Sequence, residues 1–418
     1  MSTKYVLIGN SAAALAAVDG IRKFDKQGEI TIVNRETGPA YSRVALPYYV
    51  AGEMTLDDLL IRQKPDYQKI GVSLVENENV KAINASAKQV ELESGKKVSY
   101  DKLLIATGSE TIVPPIQGLS SIPHHYLWTL EDAIGMKKAA ERAKTAVVIG
   151  GGFIGMLAAE ALRKLKIKLT IVEMAPILLP QLLDEGAGNL FLKAVRDEGV
   201  TVKTGALVSA VAKKGDAIEV TLKSGETFTV DMAVVATGVR PHAAFLQSSG
   251  ITLNKGVLVN EYLQTNQADV YAAGDVAETK DFLSADRSIY AIWPTAIDQG
   301  RAAGVNMTGK RQEYPGSLGM NVVELFNVTL AQLGRFREGP GDSVKMLSSK
   351  GSEESYRKVV VDKNGTLVGA VYVGDENGVA EMGVIHSAIK RREKWQGFKD
   401  GRQPQFTYGA VMHNVPRY

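Results

Sequence analysis

Apolar residues along the chain come in short β-branched runs, each closed by a glycine. "YVLIG" (residues 5–9) and "VVIG" (residues 147–150) read as strands buried on both faces, the mark of a parallel sheet. A stretch of small and apolar residues at helical spacing follows each: "NSAAALAAVDGIRKF" after the first and "GGFIGMLAAEALRKL" after the second. Further β-branched runs, "EITIV" and "KLTIV", then close two strand–helix–strand units. Two more segments, "YDKLLIATGS" (100–109) and "VDMAVVATGVRP" (230–241), place a buried strand before Ala-Thr-Gly, 97 residues after Gly9 and 86 after Gly150. The same four-part order occurring twice is an internal duplication. It predicts an α/β fold with two Rossmann-like three-layer units. Beyond "RQEYPGSLGMNV", short strands ("YRKVVVD", "LVGAVYVG") and a terminal helix ("EMGVIHSAIKRREKW") predict a third, α+β part.

The second copy carries the full dinucleotide spacing. Gly150 is expected to make the tight turn, Gly152 to let backbone amides approach a pyrophosphate, and Gly155 to let the helix pack on the strand. Gly151, Phe153 and Ile154 complete this turn, and Gly238 ends the returning strand. The phosphates belong at the helix N-terminus, where unpaired N–H groups and the helix dipole favour an anion. Glu173 stands 18 residues past Gly155, where it can accept bonds from both ribose hydroxyls. A carboxylate repels a 2′-phosphate, and the following "MAPILLP" contains no arginine, so the site reads as NAD rather than NADP.

The first copy is frayed. Ser11 and Ala14 replace the second and third glycines, Asn34 stands where the ribose-binding acid belongs, and Glu36 lies two residues on. Small side chains keep a close approach open, and the Ser11 hydroxyl can donate to a phosphate. One unit is therefore expected to hold a tightly bound redox cofactor, and the other a nicotinamide that exchanges electrons with it.

Composition narrows the chemistry further. The 418 residues are 45% hydrophobic and 23% charged, ample for two or three globular domains. No run approaches the roughly 18 apolar residues of a membrane span. The first strand begins at Tyr5, so a cytoplasmic protein is expected. With no cysteine, disulfides, thiolate nucleophiles and cysteine-ligated clusters are excluded. The five histidines (His124, His125, His242, His386, His413) show no ligand spacing, and no metal site is expected. The net charge of +3 hides an asymmetry: residues 388–418 carry seven basic and two acidic side chains, +5, which leaves −2 for the rest. Nothing points to nucleic acid.

Together with "TLEDA" (129–133), "VYAAGDVAE" (270–278) and "WPTAIDQGRAAGVNMTG" (293–309), these motifs resemble the pyridine nucleotide-disulfide oxidoreductase family over essentially the whole chain. The layout is most similar to its rubredoxin-reductase and nitrite-reductase flavin branch. The resemblance implies an FAD domain (1–113 and 242–314), an NAD domain inserted within it (114–241) and a C-terminal interface domain (315–418) that caps the flavin and often forms a homodimer. It implies that the FAD site is lined by Gly9, Asn10, Ser11, Ala12, Ala13, Asn34, Arg35, Glu36, Arg43, Val44, Val80, Ala106, Thr107, Gly108, Gly274, Asp275, Trp293, Pro294 and Thr295. Asp275 would bind the ribityl chain, and Phe153 would be the aromatic gate where nicotinamide stacks. Thr295 with Asp298 reads as an N-cap box on a helix aimed at the flavin.

The departures from the family pattern carry meaning. Where thiol-using relatives place a reactive cysteine, "RVALPYY" has Val44, which excludes disulfide reductase and thiol peroxidase chemistry. Where carrier-reducing relatives pair a lysine with a glutamate, the chain has Tyr48 and Leu157. Losing both partners strands no charge. Hydride transfer needs no acid, base or nucleophile, only nicotinamide C4 about 3 to 3.5 Å from flavin N5 in a dry stack. The resulting expectation is an FAD-dependent NADH oxidoreductase serving a small iron–sulfur or rubredoxin-type carrier that docks on the basic C-terminal region. The alternatives are an NADH oxidase that passes electrons directly to oxygen, and a non-catalytic nucleotide-binding subunit of an electron-transfer assembly.

Overall fold

The structure is a computed structural model and describes residues 2–346, 355–376 and 378–395. The chain forms two compact units, one from residues up to 112 with 239–318, the other from 113–238 with the residues from 319 on.

The first unit is built on a five-stranded parallel sheet in the order Val270–Ala272, Lys102–Ile105, Lys4–Ile8, Glu29–Val33, Val72–Val75. These are the β-branched runs of the sequence, nearly continuous in apolar residues because both sheet faces are covered. A three-stranded antiparallel meander (Val80–Asn84, Gln89–Leu92, Lys97–Ser99) completes the unit's main sheets. The helix after the first glycine turn, Ala12–Phe24, lies against a late helix, Trp293–Met307. A Cβ on Gly300 would stand 2.1 Å from the Ala13 carbonyl oxygen, and one on Gly304 would stand 2.2 Å from that of Ala17. This approach explains why the first helix is so rich in alanine: no larger side chain fits the seam.

The second unit carries a four-stranded parallel sheet in the order Thr201–Lys203, Lys168–Val172, Thr145–Ile149, Met232–Val235. It also holds an antiparallel meander (Val208–Lys214, Ala217–Leu222, Thr227–Val230). The C-terminal part is a five-stranded antiparallel sheet ordered Met320–Leu325, Val328–Gly334, Leu367–Gly374, Tyr356–Val361, Ser343–Met346, with the helix Gly378–Lys390 packed on it. Two polar clusters join it to the parallel-sheet part of the unit. In one, Arg163 pairs with Glu160 at 2.9 Å and Glu198 at 2.8 Å, while the Phe326 N–H and the Asn327 amide donate to the same two carboxylates. In the other, Lys358, only 3% exposed, reaches Asp184 at 2.5 Å and the Phe336 carbonyl at 2.9 Å, and the Tyr356 hydroxyl donates to Asp184 at 2.8 Å. Parallel sheets of Rossmann type with an α+β C-terminal part are the architecture the residue pattern called for.

Candidate functional site

The two glycine turns share one physical design. Gly9 (φ 113°) and Gly150 (φ 111°) both take a conformation that L side chains avoid. A Cβ would lie 2.2 Å from the Ala106 carbonyl oxygen in the first case and 2.3 Å from that of Ala236 in the second. Each turn is thus clamped by the alanine of its own Ala-Thr-Gly strand, so the duplication extends to atomic contacts. The third glycine place differs. A Cβ on Gly155 would stand 1.9 Å from the Gly150 carbonyl oxygen, whereas the first copy accommodates a buried Ala14. Gly152, the N-cap of the helix Phe153–Lys164, has no atom within 4 Å of its would-be Cβ, so the space before this turn is open.

In the second unit Glu173, 8% exposed, ends the strand Lys168–Val172. One carboxylate oxygen accepts the Gly151 N–H and the other the Ala175 N–H, both at 2.6 Å. The acid therefore braces the glycine turn, and an ionised carboxylate keeps further lone pairs for other donors. Leu179, held at φ 52°, donates its N–H to the Gly151 carbonyl at 2.9 Å. Phe153 and Ile154 are half-buried in the first turn of the helix, and Met174 beside Glu173 is exposed. Arg337 of the C-terminal part donates to the Pro180 carbonyl at 2.8 Å, so an arginine distant in sequence does reach the "MAPILLP" segment.

In the first unit, Gly9, Asn10, Ser11, Ala12 and Ala13 run from the strand Lys4–Ile8 into the helix, with Ser11 as an N-cap that makes no side-chain cap bond. The Ala40 N–H donates to the Tyr67 hydroxyl, which donates in turn to Asn10 Oδ1, both at 2.9 Å. Asn10 Nδ2 is left buried without an acceptor. An unmet donor costs about 1 to 3 kcal/mol. A turn with a spare donor, open helix N–H groups and no room for a side chain at Gly9 fits an anionic dinucleotide. Asn34, at the end of the strand Glu29–Val33, donates its amide to the Glu36 carbonyl at 2.7 Å. The Glu36 carboxylate accepts from Tyr41 at 2.6 Å and pairs with Arg43. Arg35 Nη1 stands 3.5 Å from Nδ1 of His242, whose backbone bonds to Thr107 and Gly108.

Gly274 and Asp275 follow the strand Val270–Ala272. Burial pushes the Asp275 carboxyl above its ordinary range, against a 2.7 Å bond from the Ser109 hydroxyl and the attraction of Arg43. Val44 is 56% exposed, Tyr48 is also exposed, and Val80 is half-buried against the core. One expectation fails. The helix Trp293–Met307 starts two residues before Thr295, with Ile292 as N-cap and no side-chain cap bond. Pro294, whose fixed φ suits the first helical turn, moves the start forward, and Thr295 is buried inside that turn instead of capping it. Lys390, Arg391, Arg392 and Lys394 are exposed at the end of the last helix, whereas Lys399, Arg402 and Arg417 lie outside the described residues. Residue patterns also missed Tyr67, Ser109 and Gln299. Only Ser109 left a signal, as the residue that directly follows Ala-Thr-Gly.

Two clamped glycine turns of this kind are matched by known proteins. The family model described as pyridine nucleotide-disulphide oxidoreductase matches residues 3–300. The chain belongs to this family. Its cofactors are FAD and NAD(H), and it is an NAD(H)-dependent flavoprotein oxidoreductase. The epsilon subunit of NADH-dependent phenylglyoxylate dehydrogenase from Aromatoleum evansii is 34% identical over 394 residues, covering 93% of this chain and 92% of that protein. The NADH-rubredoxin oxidoreductase of Clostridium acetobutylicum is 27% identical over 379 residues, covering 90% and 92%. Among solved structures, an NAD-dependent persulfide reductase from A. fulgidus matches with a TM-score of 0.88 at 28% identity, covering 94% of this chain and 77% of that one. No helix among the described residues is long and apolar enough to cross a membrane.

Proposed function

We propose that the first glycine turn holds FAD, the second holds NAD(H), and the oxidoreductase serves a small iron–sulfur or rubredoxin-type carrier protein. The observation that carries the reading is a pair of dinucleotide turns in a chain without a single cysteine, with an exposed Val44 where thiol-using relatives place sulfur. When bound, the two cofactors supply hydride exchange with each other and single-electron exchange with an outside acceptor. In this reading the backbone around Gly9, Asn10, Ser11, Ala12 and Ala13 binds the FAD pyrophosphate, and Asp275, held by Ser109, binds its ribityl chain. Trp293 and Pro294 line the ring, while Arg43 and the N-terminus of the helix Trp293–Met307 favour negative charge on it. Gly150–Gly155 and Glu173 hold the NAD(H) pyrophosphate and ribose, and Phe153 gates the nicotinamide. In the same reading residues 114–241 are taken as the NAD domain and 315–418 as the interface domain.

The exposed Lys390, Arg391 and Arg392 suit an acidic carrier, because complementary charge speeds encounter and weakens with salt. The NADH-reduced protein should therefore pass electrons to rubredoxin or ferredoxin faster than to air, with a rate that falls as salt rises. Equal rates with air alone would favour the oxidase alternative and sink the carrier reading. The name of the 34% identical relative supports a second reading, in which the acceptor is a permanently associated subunit. That reading expects the native protein to co-purify with an iron–sulfur partner through size exclusion.

A further inference from the structure

Gln299 is completely buried, at 0% exposure, in the interior of the helix Trp293–Met307. A primary amide buried this deeply is costly unless both ends are satisfied, and here both are. Its Oε1 accepts the Gly274 N–H at 2.8 Å, while Nε2 faces Ser317 Oγ at 3.1 Å and Thr279 Oγ1 at 3.5 Å. The amide orientation is fixed by chemistry, since a backbone N–H only donates and must meet the carbonyl end. Ser317 is itself anchored: its hydroxyl lies 2.9 Å from that of Thr279 and 3.0 Å from that of Tyr314, and its backbone bonds to Lys280 and Phe282.

The held atom belongs to the turn that presents Asp275. Ala273 still bonds to the sheet through the Ile105 carbonyl, and Gly274 is where the chain leaves it. Gly274 is wedged between two helices, its would-be Cβ 3.2 Å from Ala13 and 3.8 Å from Ala296. Asp275 is then fixed from two sides, by Gln299 through the Gly274 backbone and by Ser109 on the carboxylate. We infer that Gln299 is a positioning residue for FAD: its amide sets the Gly274 turn and so holds the Asp275 carboxylate where the cofactor meets it. This rests on the reading that the Asp275 turn serves FAD.

The test uses full-length protein stripped of flavin and titrated with FAD, with the urea midpoint of the flavin-free form measured alongside. Gln299→Met keeps the volume and loses both bonds, and should raise the FAD Kd at least about tenfold, the scale of one lost buried hydrogen bond. Gln299→Glu retains the acceptor for Gly274 and should stay within about threefold of the parent. Asp275→Asn should also weaken binding, and adding Gln299→Met to it should change little further, because both act through one group. Full additivity of the two, or a Gln299→Met protein that binds FAD like the parent, would overturn the inference. Gln299→Asn, which keeps the amide but shortens its reach, gives the same comparison if the methionine variant does not fold. An Asp275→Asn protein with unchanged FAD affinity would instead remove the underlying site reading.

Discussion

Replacing Gly300 by alanine sets two effects of known size against each other. In an exposed helix interior, glycine to alanine stabilises by about 1 kcal/mol through the unfolded chain's entropy. At position 300 the new Cβ would sit 2.1 Å from the Ala13 carbonyl oxygen, against 3.4–4 Å for ordinary contact, so the helices must part by more than an ångström. The obstacle is backbone and cannot rotate away. Overpacking of this kind costs about 1 to 3 kcal/mol, and an immovable neighbour places the cost near the upper limit, leaving a net loss of about 2 kcal/mol. Gly383, in the last helix, has nothing within 4 Å and supplies the control. Urea unfolding of the two flavin-free variants should move in opposite directions, Gly300→Ala to lower midpoint and Gly383→Ala to equal or higher midpoint. The parted helix also carries Trp293, Pro294 and Thr295, so Gly300→Ala should purify with less FAD. Stability and FAD content for Gly300→Ala matching those of Gly383→Ala would refute the seam as described.

Other outcomes follow from the same geometry. Gly152→Ala meets no protein atom, so its unfolding midpoint should match the parent within about 0.5 kcal/mol, while the NADH requirement rises at least tenfold because the methyl takes ligand space. An unchanged requirement would show that the pyrophosphate lies elsewhere. Asp275→Ala should release FAD and purify pale, and a fully yellow protein would contradict that role. Asp184 is pushed up by burial, but the Lys358 ammonium, the Ala187 N–H and the Tyr356 hydroxyl outweigh this and hold it below its ordinary value. Its stabilisation is thus complete above the unfolded aspartate value, about 3.9, and is lost as pH falls through the lower folded value. Lys358→Met should cost about 3 kcal/mol near neutral pH, the lower end for a broken buried pair because Asp184 keeps some contact with water, and flatten that acid dependence in urea titrations. A variant with the parent's pH profile would show the cluster to be idle.

The glycine turns were legible in sequence because their demand is local. Gly9 and Gly150 answer to a backbone angle and to one carbonyl oxygen, and that need is written at a single position. The duplicated Ala-Thr-Gly strands were legible for the same reason. What sequence spacing does not reveal is which polar partner a folded chain brings back. Tyr67 reaches Asn10 from 57 residues away, Lys358 reaches Asp184 from 174, and Gln299 reaches Gly274 from 25. The pairing of Glu36 with Tyr41 and Arg43 is likewise unmarked in the residue pattern. The misplaced cap at Thr295 has a local cause: Pro294 before it belongs to the first turn, so the helix starts ahead of the threonine. Gly300 and Gly304 show the small-residue spacing of a helix seam, but only the fold names Ala13 and Ala17 as the other side.

The most direct test of the central claim is anaerobic mixing of the yellow protein with NADH, followed by mixing with oxidised rubredoxin or ferredoxin. Two dinucleotide sites working together without sulfur predict bleaching by one equivalent of NADH within seconds. The colour should then return at the cost of two equivalents of a one-electron carrier. Protein that stays yellow under NADH, or bleaches and is reoxidised by air but by no carrier, would contradict the account.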